Sequence, residues 1–308
     1  MHLPSYGKIY NIGHLYVADI FKKPVLIEEK VDGSQFTAGI LDGVLCFRSK
    51  GAIIHRDNPP DLFRGAVEAF CDREHLLVPG YVYRGESLQK PKHNALTYNR
   101  VPKDNVVIYD IMRLGQEDYM PYTDKVNEAA RLGLEVVPRI YEGFVTSAES
   151  LLDFLNLESF LGGPKIEGVV CKAYGVFGLD GKTLMAKHVR EDFKEINSSN
   201  WKMENKSSTD ILTAIGTQYK NPNRWNKARI HLAEREELEN SPRDIGKLIK
   251  EVNDDILAEC EEEIKEQLWN WAKKHILRMS TGGLPEWYKE ELVKGAFVDG
   301  GRKEENEA

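Results

Sequence analysis

The sequence predicts an α+β protein, with a strand-rich domain over residues 1–200 followed by an all-α domain over 206–308. Three features carry that expectation. Up to about residue 195, apolar runs of strand length alternate with turn signals. Two of these runs flank Asp42-Gly43, the dipeptide of a two-residue hairpin, which makes the sheets antiparallel. After about residue 205 the spacing becomes helical, with Leu257, Cys260, Ile264, Leu268 and Trp271 recurring at intervals of three and four.

Taken in order, residues 24–30 read as a strand closed by Asp32-Gly33. Residues 36–41 and 44–48 are the hairpin arms. Residues 81–86, after Pro79-Gly80, and 105–111 read as strands from their Val, Ile and Tyr content, as does the apolar run 166–173. Helices are expected at 61–69, 122–132 and 147–157, then at 210–219, 225–238 and 244–252. Pro285 suits the first turn of a last helix. The domain boundary falls near 196–208, where Asn197-Ser198-Ser199-Asn200 and Ser207-Ser208 interrupt the apolar pattern. The tail from Gly300 is polar.

Composition removes several classes. At 308 residues the chain is long enough for two domains. Hydrophobic residues make up 41% and charged residues 30%, a globular balance. No apolar run reaches the ~20 residues of a membrane span, and Met1-His2-Leu3-Pro4 does not open a signal peptide, so no membrane partner is expected. Cys46, Cys71, Cys171 and Cys260 are scattered, which excludes a disulfide framework and a zinc cluster and points to a reducing, cytoplasmic setting. The net charge of −7 is spread over both parts, so a nucleic-acid partner has to meet a local basic patch.

Six short segments hold the chemistry. They are Glu29-Lys30-Val31-Asp32-Gly33, Phe47-Arg48-Ser49-Lys50-Gly51, Tyr83-Arg84-Gly85-Glu86, Val107-Ile108-Tyr109-Asp110, Ile166-Glu167-Gly168-Val169-Val170-Cys171-Lys172 and Met185-Ala186-Lys187-His188-Val189-Arg190. A lysine amine can attack a phosphate only when neutral, so a reactive Lys30 needs a lowered pKa from burial or nearby cations. Displacing pyrophosphate accumulates negative charge, which calls for cationic side chains and Mg²⁺. Mg²⁺ takes only one or two carboxylates from a protein.

In order and spacing, the set resembles the covalent nucleotidyltransferase superfamily of polynucleotide ligases and RNA capping enzymes. The resemblance implies an ATP-grasp-like adenylylation domain. It makes Lys30 the nucleophile that becomes lysyl–AMP, within a nucleotide-binding set of Glu29, Lys30, Arg48, Glu86, Tyr109, Glu167 and Lys187. Arg48 takes the place that contacts phosphate or nucleic acid, with Lys50 beside it on the nucleic-acid side. Glu86 matches the residue that holds the ribose hydroxyls, and Tyr109 the aromatic that stacks on the base. Glu167 matches the carboxylate that binds the metal, Mg²⁺ or Mn²⁺. Lys187 matches the lysine that contacts the α-phosphate, and counts with Lys30 as catalytic. The family pattern is Lys-x-Lys, whereas this chain has Val189 at the third position, leaving His188 or Arg190 to supply the missing charge.

Ligases of DNA and capping enzymes follow this domain with a β-barrel, whereas the second part here reads as helices. That architecture, with Glu29-Lys30-Val31-Asp32-Gly33-Ser34-Gln35-Phe36, is similar to the RNA ligase 2 family of phage-type RNA repair ligases. The resemblance implies an ATP-dependent, cytoplasmic, monomeric enzyme that seals 3′-OH and 5′-phosphate ends, at nicks in duplex RNA or at RNA ends. Lys220, Arg224, Lys227 and Arg229, interleaved with Tyr219 and Trp225, form the most basic stretch of the helical part, and Arg224 and Lys227 are its candidate RNA contacts. A DNA or mixed nick sealer, a capping guanylyltransferase and a non-catalytic RNA-binding relic remain alternatives.

Overall fold

The computed structural model describes residues 2–190 and 208–300. In chain order, its strands are β1 (Tyr10–Asn11), β2 (Val25–Lys30), β3 (Ser34–Leu41), β4 (Val44–Arg48), β5 (Ile53–Ile54), β6 (Tyr81–Ser87), β7 (Val106–Arg113), β8 (Glu135–Val136), β9 (Arg139–Gly143), β10 (Gly168–Phe177) and β11 (Thr183–Val189). They form two sheets, ordered β1-β11-β10-β2-β9 and β5-β4-β3-β6-β7-β8. All pairs are antiparallel except β1 with β11 and β7 with β8. The Asp42-Gly43 turn has φ of +50° and +79°, the primed geometry whose twist suits the hairpin of β3 and β4.

Side chains on a strand alternate between faces, and this decides what lies in the cleft. In β2, Val25 and Ile27 enter a core with Val169, Cys171 and Ala173 of β10 and Leu184 and Ala186 of β11. Glu28 and Lys30 therefore take the opposite face. In the other sheet, Phe36, Phe47 and Ile108 build a second core with Phe63 and with Ala66 and Phe70 of helix α1 (Arg64–Asp72). A β-bulge interrupts β7. Arg84 pairs with Asp110 and Gly85 with Ile108, so Tyr109 is an extra residue without a cross-strand partner.

Helix α2 (Tyr122–Leu132) forms where expected and ends on Gly133, whose φ is +67°. The expected helix at 147–157 is instead two short 3₁₀ turns, Glu149–Leu151 and Phe154–Asn156. No side chain caps either one, and the Leu157 carbonyl is taken by the Ile166 amide, so no continuous helical ladder forms. The remaining helices are α3 (Ser208–Tyr219), α4 (Pro222–Glu234), α5 (Ile245–Ser280) and α6 (Leu284–Gly300). Helix α5 merges the expected 244–252 helix with the apolar stripe after it, because no glycine or proline interrupts 247–281. No described helix is long and apolar enough to cross a membrane.

The chain divides into two compact units. One is Met1–Glu195 with Pro222–Glu251, and the other is Ile196–Asn221 with Val252–Ala308. The expected boundary at 200–206 lies outside the described residues. The segment Pro222–Glu251 groups with the sheets and not with the other helices. The end of α4 is tied to the first turns of α5 by Arg235–Glu251 at 2.6 Å and His231–Glu251 at 2.9 Å. In the second unit, Ile211, Ile215 and Tyr219 of α3 pack with Cys260 of α5.

Candidate active site

Lys30 ends β2 and lies opposite Gly168 in the register with β10. That pairing puts Glu167 beside it. Lys30 Nζ donates to both Glu167 oxygens, at 2.8 and 2.7 Å. Gly168 lets β11 lie close beside it, because a Cβ there would stand 2.5 Å from the His188 carbonyl oxygen. Burial pulls the Lys30 pKa down, but Glu167, Glu86 and Asp32 together outweigh it, and the amine is held raised as an ammonium. Attack on a phosphate needs a lowered value. The free protein keeps the opposite state, because the counter-charge is in direct contact.

The turn after Lys30 is fixed by its own residues. Asp32 Oδ2 accepts from the amides of Ala95 and Leu96, at 2.8 and 2.7 Å, and the Asp32 amide donates to the Tyr98 hydroxyl. Gly33 packs where no side chain fits. A Cβ would stand 2.7 Å from Glu86 Cγ and 2.8 Å from the Ser87 carbonyl oxygen. This is a physical reason for the Lys-x-Asp-Gly order: aspartate holds a loop, and glycine lets β6 carry Glu86 against the turn. Burial pushes Glu86 up to about 8, against the attraction of Lys30 and with help from Glu234, Glu167 and Asp32. Glu167 is also raised, by burial, although Lys30 and Lys187 attract its charge.

Lys187 lies on β11 in register with Val170 and alternates with the core residues Leu184 and Ala186, so it shares the cleft face with Met185. By the same alternation His188 faces away. It cannot supply the missing family lysine. The Arg190 amide donates to the Glu167 carbonyl at 3.0 Å, which closes this edge of the site.

Glu29, expected among the nucleotide contacts, is corrected by the same rule. It shares the face of Val25 and Ile27, and its carboxylate accepts from the Ser159 hydroxyl at 2.6 Å and the Phe160 amide at 3.1 Å. Arg48 turns to main chain, donating to the carbonyls of Leu3 at 2.8 Å, Ser49 at 3.2 Å and Lys50 at 3.4 Å. Lys50 is exposed. Arg224, expected to contact RNA, is only 1% exposed. It shares the buried face of α4 with Ala228 and Leu232, at helical spacing, so it cannot present itself to a strand. Lys227 on the same helix is half-buried.

Behind the cleft is a network the sequence reading missed. Lys172 donates to Glu28 at 2.6 Å and to Asp110 at 3.0 Å, and Lys125 of α2 donates to the other Glu28 oxygen. All four side chains are buried. The bulge frees the Tyr109 carbonyl from the ladder, and it accepts from both ammonium groups at 2.8 Å. The Tyr109 ring lies 5.6 Å from Lys172 Nζ and edge-on to Tyr6 at 5.1 Å. Tyr6 and Tyr174 donate to Asp110. Glu28 and Lys172 come from one sheet and Asp110 from the other, so the charges join the two. Helical spacing gives no hint of this, since Lys125 reads as a solvated helix position.

The first unit is thus two largely antiparallel sheets joined by buried charges, with a lysine at the end of one strand. The profile of the RNA ligase family matches residues 23–189, more than half of the chain, and the chain belongs to that family. Among solved structures it is similar to the Naegleria gruberi RNA ligase. A lysine-to-alanine variant of that enzyme with ATP and Mn is 16% identical at a TM-score of 0.50, over 61% of this chain and 57% of that one. The form with pyrophosphate gives 16% and 0.49, over 62% and 57%. A glutamate-to-alanine variant with AMP and Mn gives 15% and 0.49, with the same coverage. At such identity the likeness is one of fold, and this chain spans somewhat over half of the Naegleria enzyme. No curated protein matches in sequence.

Proposed function

We propose that the chain is an ATP-dependent RNA ligase that joins 3′-OH and 5′-phosphate ends, at nicks in duplex RNA, through AMP carried on Lys30. The observation that carries the reading is the half-buried Lys30–Glu167 pair, with Glu86 and Lys187 around it. Lys30 Nζ, once neutral, attacks the α-phosphorus of ATP. A P–N bond forms, the P–O bond to pyrophosphate breaks, and pyrophosphate departs. The 5′-phosphate of the RNA then attacks the same phosphorus, the P–N bond breaks, and Lys30 leaves with a proton. Attack by the 3′-OH on the activated 5′-phosphate expels AMP and closes the phosphodiester. Each step gains mainly from positioning and from cations set against the phosphates.

The residues present fit a divalent cation. Among the described residues no group of three His, Cys, Asp or Glu could hold a metal alone. Glu167 would hold a cation such as Mg²⁺ or Mn²⁺, which needs only one or two protein carboxylates and would take its other ligands from phosphate and water. Bound there, it supplies positive charge that competes with Lys30 for the Glu167 carboxylate. In this reading Glu86 holds the ribose, Tyr109 faces the base, Lys187 meets the α-phosphate, and Arg48 and Lys50 lie on the nucleic-acid side.

The test is incubation with α-labelled ATP or GTP and Mg²⁺, followed by a denaturing gel. Label from ATP that is absent in Lys30→Ala supports the reading. Label from GTP alone moves it to cap transfer, and no label from either overturns it.

A further inference from the structure

Of the cations expected to meet RNA, Arg48 is turned to main-chain carbonyls and Arg224 is buried. A polyanion needs exposed cations beside the cleft, and the chain has a pair that the steps above do not use. Residues 88–103, within the connection from β6 to β7, hold Lys90, Lys92, Arg100 and Lys103 and no aspartate or glutamate, in a chain of net charge −7. Arg100 pairs with Glu135 at 2.9 Å, and Lys103 donates to the Gly133 carbonyl at 3.3 Å. Lys90 and Lys92 are exposed, and neither side chain makes an ion pair or hydrogen bond among the described residues.

Their place is set by the chain around them. The Tyr98 amide donates to the Pro91 carbonyl at 3.0 Å and Lys92 bridges Thr97, so 91–98 closes into a small hairpin. This hairpin is bound to the turn after Lys30 residue by residue. The Ala95 and Leu96 amides donate to Asp32, Asn94 donates to the Gly33 carbonyl at 2.7 Å, and Tyr98 accepts from the Asp32 amide. Ser34 Oγ and His93 Nε2 are hydrogen-bonded at 2.9 Å. Leu96 and Tyr98 also share a core with Val31, the residue after Lys30. Lys92 therefore stands one residue from a direct contact with the nucleotide turn. A loop ordered in advance binds a strand without the entropy cost of fixing its own backbone. Solubility alone is served by charges of either sign, whereas a stretch without acids suits a polyanion.

We propose that Lys90 and Lys92 bind backbone phosphates of the RNA strand beside the nucleotide cleft, on a hairpin fixed to the Lys30 turn. The proposal rests on the ligase reading above. Such a contact reads charge and not bases, so it serves strands of any sequence. It moves the strand contact expected at Arg224 from α4 to the connection between β6 and β7.

The test uses the full chain and the double variant Lys90→Gln, Lys92→Gln. Lys23→Gln, at an exposed lysine just before β2, controls for net charge. Binding is measured on two nicked RNA duplexes of unrelated sequence, and Lys30 labelling is measured without RNA across a range of ATP concentrations. The double variant is expected to bind both duplexes more weakly by the same factor, on the order of 10-fold, as phosphate contacts are lost. Its labelling is expected to keep the wild-type rate and ATP requirement, and Lys23→Gln is expected to change neither property. Unchanged binding in the double variant, an equal loss in Lys23→Gln, or a loss confined to one sequence would overturn the proposal. So would a raised ATP requirement, which would assign the two lysines to the phosphates of the nucleotide. If the wild-type protein takes no label, the ligase reading fails and this one with it; if it takes label and the double variant binds RNA equally well, this proposal alone fails.

Discussion

Lys30 Nζ lies within 2.8 Å of both carboxylate oxygens of Glu167, so the proposed nucleophile and its restraint are one ion pair. The pair keeps Lys30 in its protonated form, because the attraction of Glu167, joined by Glu86 and Asp32, exceeds the effect of burial. Removing the carboxylate should have two separable effects. In Glu167→Gln, burial is opposed by the weaker pull of Glu86 and Asp32, so the limb of the pH–rate profile that marks Lys30 deprotonation should move to lower pH. The maximal rate should fall about 10²-fold, as when one preorganised charge contact to a transition state is lost. Lysine labelling measured from pH 6 to 10 checks both. A limb that stays in place would show that Glu167 does not set the Lys30 proton.

Gly33 is confined by Glu86, Ser87 and Leu88, all within 2.9 Å of a would-be Cβ. Two of these contacts are side chains and one is main chain, so the turn cannot relax freely. Gly33→Ala should cost about 1–3 kcal/mol of stability, the range of overpacked cores. A thermal melt measures it, and the ATP requirement for labelling should rise alongside, since Glu86 is the group displaced.

The four buried charges behind the cleft make a harsher prediction. Lys172→Met leaves Glu28 with one partner and Asp110 without its ammonium. Breaking a buried pair from one side costs about 3–5 kcal/mol. Chemical denaturation of the variant should show that loss even without nucleotide. A change below 1 kcal/mol would mean that the network contributes little to the fold.

Stability should also depend on pH in a specified direction. Glu86 rises in the folded protein from its ordinary 4.5 to about 8, and Glu234 to about 7, both chiefly through burial. A carboxyl with a raised folded pKa favours folding while it is protonated. That contribution is full below pH 4.5 and is lost as pH rises through the folded values. The melting temperature should therefore fall between pH 6 and 9, and Glu86→Gln and Glu234→Gln should each flatten the decline. Variants that track the wild-type slope would refute the assignment to these two acids.

The places of Lys30, Glu86, Glu167 and Lys187 in the fold were legible in the sequence because each sits in a short motif on or next to a strand, where local pattern and structure agree. Glu29 was misread because a motif names neighbours without regard to faces, whereas a strand sends neighbours to opposite sides. The same alternation removes His188 as the substitute for the family's second lysine. Lys125 and Glu28 were invisible because their meaning arises only when α2 and two sheets meet. The Tyr109 bulge left no mark, since Val107-Ile108-Tyr109-Asp110 reads as an ordinary strand. In α4 only a basic stretch stood out, not the buried face that Arg224 shares with Ala228 and Leu232, so Arg224 was assigned to RNA and Glu234 to nothing.

The charge network behind the cleft has a further consequence, for the effect of salt. Dissolved ions screen exposed charges within about 10 Å at 0.1 M but reach buried ones poorly. Contacts to an RNA backbone lie in the first category and weaken steeply as salt rises. Glu28, Asp110, Lys125 and Lys172 lie in the second, being nearly inaccessible to solvent. Ionic strength should therefore divide the reaction in two: a concentration that strips the strand from the protein leaves the nucleotide cleft assembled and Lys30 still able to take AMP.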